Sequence, residues 1–435
     1  MKLFKGSLII LASNWIMFPL ALLQSFLVID YLGANGRGNF VLFQSIYAIV
    51  AFVLTSGMST SSVYFFRQKI YSLATITLSF FLFSIVVMFI ASPLIYFNFE
   101  HISRVSGFTQ SSPTSAIFCV IAIGSLLYSN FSQSLLLSLG YAKLVSLINL
   151  GRATLCIIII YVLCGLFNYD LLTLIIGIVT LDLVVAVLVT LIIVKMPYFD
   201  VVTDLRKCLK DMVGYGLKSY LTPILPLVQN NISNIFIGRM NGPEAVAYFS
   251  LAVSIYNGIN KIPKAVNSLL LGIISDSEYE NPNIKVAKVT SSLTYTIGLF
   301  ALFLGVSGYF LIPSVFGMDF TQTLIPLYIL LVTVVIVCAA ATLQTSFLAS
   351  NRPQTASILS MVGAALLLIF TPIGISYFDI IGATIAIFFV RLTIYVLTVV
   401  QFKRISGVRW SETIKPDKKS LYWIIKRAKK YIKKD

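Results

Sequence analysis

Leu171 to Val194 is an unbroken apolar run whose single charged side chain is Asp182. A run of that length crosses the ~30 Å hydrocarbon core of a bilayer as one helix. Lipid offers the backbone no hydrogen bonds, so a spanning segment must satisfy its own peptide groups, and a helix does so within the segment. Comparable runs recur along the chain, and twelve can be marked: 7–29, 40–66, 72–97, 114–138, 144–167, 171–194, 216–238, 246–273, 287–313, 323–349, 356–377 and 380–402. The second and eighth exceed what the hydrocarbon core requires, so they tilt or extend beyond it. Turn residues separate the runs: GANGRG at 33–38, SP at 112–113, MP at 196–197, NP at 281–282 and RP at 352–353. The longest stretches between spans, 98–113 and 195–215, are too short for a folded domain outside the membrane. The expected fold is an all-α polytopic membrane protein with 12 transmembrane helices. A hydrophobic content of 58% with 11% charged residues excludes an ordinary soluble protein.

Charge placement predicts orientation. With the N-terminus in the cytoplasm, 26 of the 32 Lys and Arg residues fall in inner segments, Arg152 among them, and both termini lie inside. The net charge of +16 is therefore a topology signal, with no need for a nucleic-acid partner. Met1 to Gly6 is short and basic and leads directly into a span, as an uncleaved first helix would. The tail from Lys403 to Asp435 repeats Leu421, Ile424, Ile425, Ala428, Tyr431 and Ile432 along one helical face, opposite a row of Lys and Arg. It reads as a basic amphipathic helix on anionic lipid or as a plain topology anchor.

The polar residues inside the spans are the candidates for function. Asn257, Asn260, Lys261, Lys264 and Asn267 follow one another at intervals of 3, 1, 3 and 3, which places them on one helix face. Facing lipid, such a stripe is too costly, so it should face water or protein. Lys261 lies ~22 Å and Lys264 ~27 Å along span eight from its outer end. Lysine is a compact point charge suited to phosphate, and amides that both donate and accept suit sugar hydroxyls. Asn230, Asn231 and Asn234 in span seven extend this set or bond helices together. Asn14, Gln24 and Gln44 are candidates to line the opposite lobe. Arg37 and Arg239 sit beside outer turns, where they are solvated or guide an anion outward. Asp182 and Arg391, both mid-span, pair with each other or with different groups; Asp182 suits a structural ion pair or a coupling ion (H⁺ or Na⁺) equally.

Nothing in the sequence calls for a cofactor or metal. Cys119, Cys156, Cys164, Cys208 and Cys338 have no paired spacing, and His101 is the one histidine. No glycine-rich phosphate loop and no nucleophile–base set can be read, which points away from an enzyme and from ATP-driven work.

The chain also repeats itself. A shift of 209 residues lays Gly33–Tyr47 over Gly242–Tyr256 without a gap, matching Gly33/Gly242, Phe40/Phe249, Leu42/Leu251, Ser45/Ser254, Ile46/Ile255 and Tyr47/Tyr256. Six spans separate the copies, so the halves share one orientation: a parallel repeat of two six-helix lobes. The expected divisions are 1–200 and 201–402, followed by the tail 403–435.

With these features, the N-terminal KGS, the YLGANGRGNFVLFQSIY turn, SGMSTSSVYFF, GLKSYL and IGRMNGPEAVAYFSLAVSIYN together resemble the polysaccharide-exporter branch of the multidrug/oligosaccharidyl-lipid/polysaccharide (MOP) superfamily. Within it they are most similar to the O-antigen unit flippases, the Wzx proteins of lipopolysaccharide biosynthesis. That resemblance implies two lobes in a V around a central cavity in the bacterial inner membrane. It implies alternating access that carries an undecaprenyl-pyrophosphate-linked oligosaccharide to the outer leaflet, alongside polysaccharide polymerase partners. A drug/cation antiporter of the same superfamily is the alternative, although it would favour intramembrane carboxylates over lysines. A membrane polymerase or glycosyltransferase would be expected to carry a larger outer loop than 98–113.

Overall fold

Thirty-four consecutive residues, Leu73–Ser106, form one helix that buries Ala91 and Ile95 on one face and leaves Phe89 82% and Phe97 80% exposed on the rest. Surfaces like this belong in lipid, because water would not tolerate a belt of bare aromatic rings. The computed structural model describes residues 2–55, 57–196, 202, 204–219, 224–274, 282–349 and 353–407. Among these, the regular elements are all helical. The first half of the chain gives α1 (Lys2–Thr55), α2 (Met58–Arg67), α3 (Leu73–Ser106), α4 (Pro113–Ser138), α5 (Ala142–Ile160) and α6 (Leu171–Val194). Then come α7 (Leu205–Ser219), α8 (Ile224–Leu227), α9 (Ser233–Asn241), α10 (Pro243–Ile274), α11 (Pro282–Phe316), α12 (Leu324–Ala349) and α13 (Pro353–Ser406). The chain is an all-α, multi-pass membrane protein.

Helix starts follow the sequence punctuation. Ser112 caps α4 by accepting from the Ser115 N–H, Ser115 reaches back to the Ser112 N–H, and Pro113 fills the first turn. Asp170 caps α6 through the Thr173 N–H. Inside the spans, hydroxyls such as Thr180, Thr190 and Thr342 donate to the carbonyl one turn back, which satisfies them in lipid.

Among the described residues, eight helical stretches are long and apolar enough to span a membrane. Two of them, Ala12–Thr55 and Gln354–Ser406, each hold two of the expected spans, folded at Gly33 and at Phe378–Asp379 respectively. The other two expected spans, 216–238 and 246–273, fall on α7–α9 and on α10. Among the described residues, span seven is helical at 216–219 and without a break from Ile224 to Asn241. A π-helical turn, Val228–Ile232, joins α8 to α9. Span two is divided: α1 ends at Thr55, Gly57 adopts a left-handed conformation (φ 71°), and α2 follows.

The expected loop at 98–113 is mostly helix, since α3 runs on to Ser106. Glu100 and Arg104 pair at 2.5 Å one turn apart and carry the helix out of the apolar layer. The stretch 195–215 is not featureless either. It contains α7, whose Leu205, Cys208, Met212 and Tyr215 recur at helical spacing; Cys208 and Met212 are fully buried, while Arg206, Lys207 and Lys210 occupy other faces. The Tyr71 hydroxyl donates to Asp211 Oδ2 at 2.6 Å, and Tyr64 stacks on Tyr215 at 4.3 Å, fastening α7 to α2 and the start of α3. Burial, then the bond to Asp211, push the Tyr71 hydroxyl pKa well above its ordinary value. The contact therefore holds below pH ~10 and weakens only in strong alkali. The tail beyond 407, with its expected amphipathic helix, lies outside the described residues.

Contacts divide the chain into two compact units. One comprises Met1–Phe18, Ile224–Gln229 and Tyr248–Asp435, and the other Pro19–Pro223 and Asn230–Ala247. The chain first crosses at Pro19, inside α1, where proline removes one helical N–H. The second unit centres on Phe80 stacked on Phe131 at 3.9 Å, packed among Met58, Leu73, Leu135, Cys208 and Met212.

The two glycines aligned by the internal repeat adopt the same rare backbone conformation: Gly33 at φ 68°, ψ −179° and Gly242 at φ 85°, ψ 175°. That region is essentially closed to residues with a Cβ. A Cβ at either site would meet no atom within 4 Å, so only the backbone demands glycine. Gly33→Ala and Gly242→Ala should each destabilise the purified protein by about 1–3 kcal/mol, by similar amounts. Thermal unfolding in detergent measures this, and an unchanged midpoint for either variant would refute the shared-turn account.

Candidate substrate site

The stripe on α10 lies in the first unit from Tyr248 onward. A Cβ on Gly258 would come within 2.2 Å of the Phe18 ring, so α10 can lie against the first turns of α1 only because that side chain is absent. This packing brings Lys261 into a cleft with Asn14, Trp15, Phe18, Ile262 and Phe300. Trp15 and Phe300 meet edge to face at 6.0 Å across it. The cleft is an apolar, aromatic slot with one amide and one half-buried ammonium. Asn14, expected on the opposite lobe, belongs beside Lys261 because the start of α1 packs in this unit.

The rest of the stripe divides between two environments. Asn260 and Asn267 are buried, Asn257 is half-buried and Lys264 is exposed. Asn260 donates to the Tyr256 hydroxyl at 3.4 Å, while the Asn267 Oδ1 has no partner. Lys261 and Lys264 repel each other, and Lys264 also feels Arg391. Arg391, midway along the second half of α13, donates through both Nε (2.8 Å) and Nη2 to the single Oε1 of Gln229. Gln229 is 1% exposed and sits in the π-helical turn. Among the described residues, no salt bridge joins Lys261, Lys264 or Arg391 to a carboxylate. Three cations thus share one unit with amides and a tyrosine for company.

The second unit holds the remaining candidates in a different arrangement. Asp182 pairs with Arg152, which donates from Nη2 at 2.9 Å and also from Nε, a two-pronged bond between α5 and α6. Of the two alternatives for Asp182 and Arg391, each pairs with a different group, and Arg152, expected in an inner segment, lies within α5. Both charges sit midway along their helices, where lipid makes an unpaired charge costly. Arg37, expected to be solvated, is 8% exposed because the fold at Gly33 turns it back onto its own helix. It donates to Ser25 Oγ at 3.1 Å and lies 6.0 Å from the Phe40 ring centre, with Nε unpartnered.

Asn234 is buried and donates to Ser45 Oγ at 3.0 Å, joining α9 to α1. Gln24 donates to the Ala153 carbonyl at 3.0 Å, joining α1 to α5. Asn230, Asn231 and Gln44 are half-buried, and Arg239 is exposed at the end of α9. The amides of span seven therefore do not group with the lysines of α10 in one unit, although they are close in sequence. The exception is Gln229, from the same polar stretch, which lies in the unit of α10 and accepts from Arg391.

If Asp182 and Arg152 act as a structural pair, Asp182→Asn and Arg152→Gln should each lower the melting temperature in detergent. The double variant should recover part of the loss, with a coupling of about 0.5–3 kcal/mol. Strictly additive losses would sink the pair as a structural element.

No protein-family model matches this sequence, and no curated protein matches it. Solved structures do match its fold. The lipid II flippase MurJ in an inward closed conformation superposes with a TM-score of 0.73 at 14% identity, over 95% of this chain and 91% of that one. An inward-facing multidrug resistance MATE family transporter of the MOP superfamily gives 0.68 at 15% identity, over 92% and 99%. The eukaryotic MATE transporter AtDTX14 gives 0.59 at 15%, over 98% of both chains. At these identities the likeness is one of fold: the chain folds as these transporters do.

Proposed function

We propose that this chain, folded as MOP-superfamily transporters are, is a flippase. It would move a polyprenyl-pyrophosphate-linked oligosaccharide, such as an O-antigen repeat unit, from the cytoplasmic to the outer leaflet of a bacterial inner membrane. The reading makes it a transporter rather than an enzyme, placed before a polysaccharide polymerase and coupled to H⁺ or Na⁺ or to no ion. The observation that carries it is the sign of the polar groups. Lys261, Lys264 and Arg391 meet no carboxylate among the described residues of their unit, whereas Asp182 in the other unit is neutralised by Arg152. A pyrophosphate needs the first arrangement. Asn14, beside Lys261 in the cleft, offers an amide to a sugar hydroxyl. Alternating access between two six-helix lobes, 1–200 and 201–402, is part of this proposal.

A cation or drug antiporter is the second reading, favoured by the fold shared with MATE transporters. It would require a carboxylate that opens to a cation, and Asp182 would have to leave Arg152 to provide one.

Lys261 lines the slot while Lys264 is exposed one turn on, so the two differ in consequence. Lys261→Ala should reduce surface polysaccharide in complemented cells about tenfold or more, with Lys264→Ala milder. Both proteins should accumulate normally. Wild-type polysaccharide from both variants at normal protein levels would remove the head-group role of the α10 face.

A further inference from the structure

Arg391 is held in an unusual way. Both of its donating nitrogens converge on one neutral oxygen, Gln229 Oε1. A guanidinium matches two oxygens side by side, as a carboxylate or phosphate presents them, and a single amide oxygen leaves that fork half-used. Gln229 lies in a π-helical turn, the kind of local insertion that gathers at functional sites. Tyr256 is 1% exposed and already accepts from Asn260. A charge in mid-helix with only neutral partners would be expensive if it had no further use.

We propose that Arg391 is an exchangeable third cation of the head-group site. Without anion, it rests on Gln229; with a pyrophosphate-bearing ligand, it leaves Gln229 and closes a two-pronged bond on the phosphate alongside Lys261 and Lys264. The inference rests on the flippase reading and extends it, because it assigns Arg391 to the anion and gives Gln229 the role of internal competitor. A neutral amide is suited to that role: it holds the guanidinium in position yet yields to a charged acceptor, whose hydrogen bonds are roughly twice as strong. A glutamate there would not yield. The exchange also couples loading to span seven, since the π-turn loses its anchor on α13 when the anion binds.

The test uses the purified full-length protein in lipid nanodiscs, titrated with inorganic pyrophosphate and separately with a polyprenyl pyrophosphate, with thermal stabilisation as the readout. Arg391→Gln and Gln229→Glu should each weaken binding about tenfold, with Arg391→Lys intermediate because charge remains without the fork. Gln229→Leu should bind tighter than the parent, because the competitor is gone. If Gln229→Leu does not fold, Gln229→Asn replaces it, as its shorter amide cannot reach. A purely structural Arg391 predicts no tightening in either neutral variant, and that result would overturn the exchange. Lys261→Ala weakening the binding while the Gln229 variants match the parent would overturn this inference and leave the flippase reading standing. Parent-like binding in the Lys261, Arg391 and Gln229 variants alike would overturn both. Equal effects with both ligands would assign the site to the phosphate itself, and effects with the polyprenyl ligand alone to a lipid-borne head group; each supports Arg391 as its ligand.

Discussion

A charge placed among membrane-spanning helices must find water, an opposite charge or a dense set of dipoles, because lipid supplies none of these. The arrangement of this protein follows from how each charge meets that demand. In one unit the demand is met by pairing: Asp182 and Arg152 cancel each other between α5 and α6. In the other it is met by dipoles, with Arg391 on Gln229 and Lys261 in a slot with Asn14 and aromatic rings. The first solution leaves no net charge to offer a ligand. The second leaves Lys261, Lys264 and Arg391 without a carboxylate partner among the described residues.

The packing that places these charges depends on local backbone features more than on the apolar spans themselves. Gly33 and Gly242 fold the chain back at matching positions, Gly258 lets Phe18 lie against α10, and the π-turn swings Gln229 toward α13. Around them the helices are held by ordinary means, through small residues, capped ends and hydroxyls bonded one turn back. Lipid covers the outer faces; the most hydropathic stretch of Asn283–Phe316 has only 17% of its residues buried within the protein.

Much of the fold was legible from the sequence because the bilayer imposes one length and one secondary structure on every crossing segment. Span ends were less legible, since polar residues at a helix end can extend the helix, as Glu100 and Arg104 extend α3. The amphipathic α7 was missed because its apolar face is short, yet Leu205, Cys208, Met212 and Tyr215 carry the helical period. For the site, spacing on α10 correctly set Lys261 and the Asn residues on one helix, but spacing cannot say which partner a face meets. Asn14 meets Lys261 because Gly258 lets the start of α1 lie against α10. Arg37 was read as solvated because the fold that buries it depends on a single glycine's dihedral angles. Partners of mid-span charges are set by contacts between helices distant in sequence, which no single sequence contains in its periodicity.

The central claim is that the cationic α10 face exists to receive a lipid-borne anion. Its most direct test is chemical: delete the gene, extract the membrane lipids and assay which leaflet holds polyprenyl-pyrophosphate-linked oligosaccharide. The account predicts accumulation of one such lipid on the cytoplasmic face together with loss of the finished surface polysaccharide. Normal lipid levels, combined with new sensitivity to cationic dyes, would contradict it and make the protein an exporter of cations.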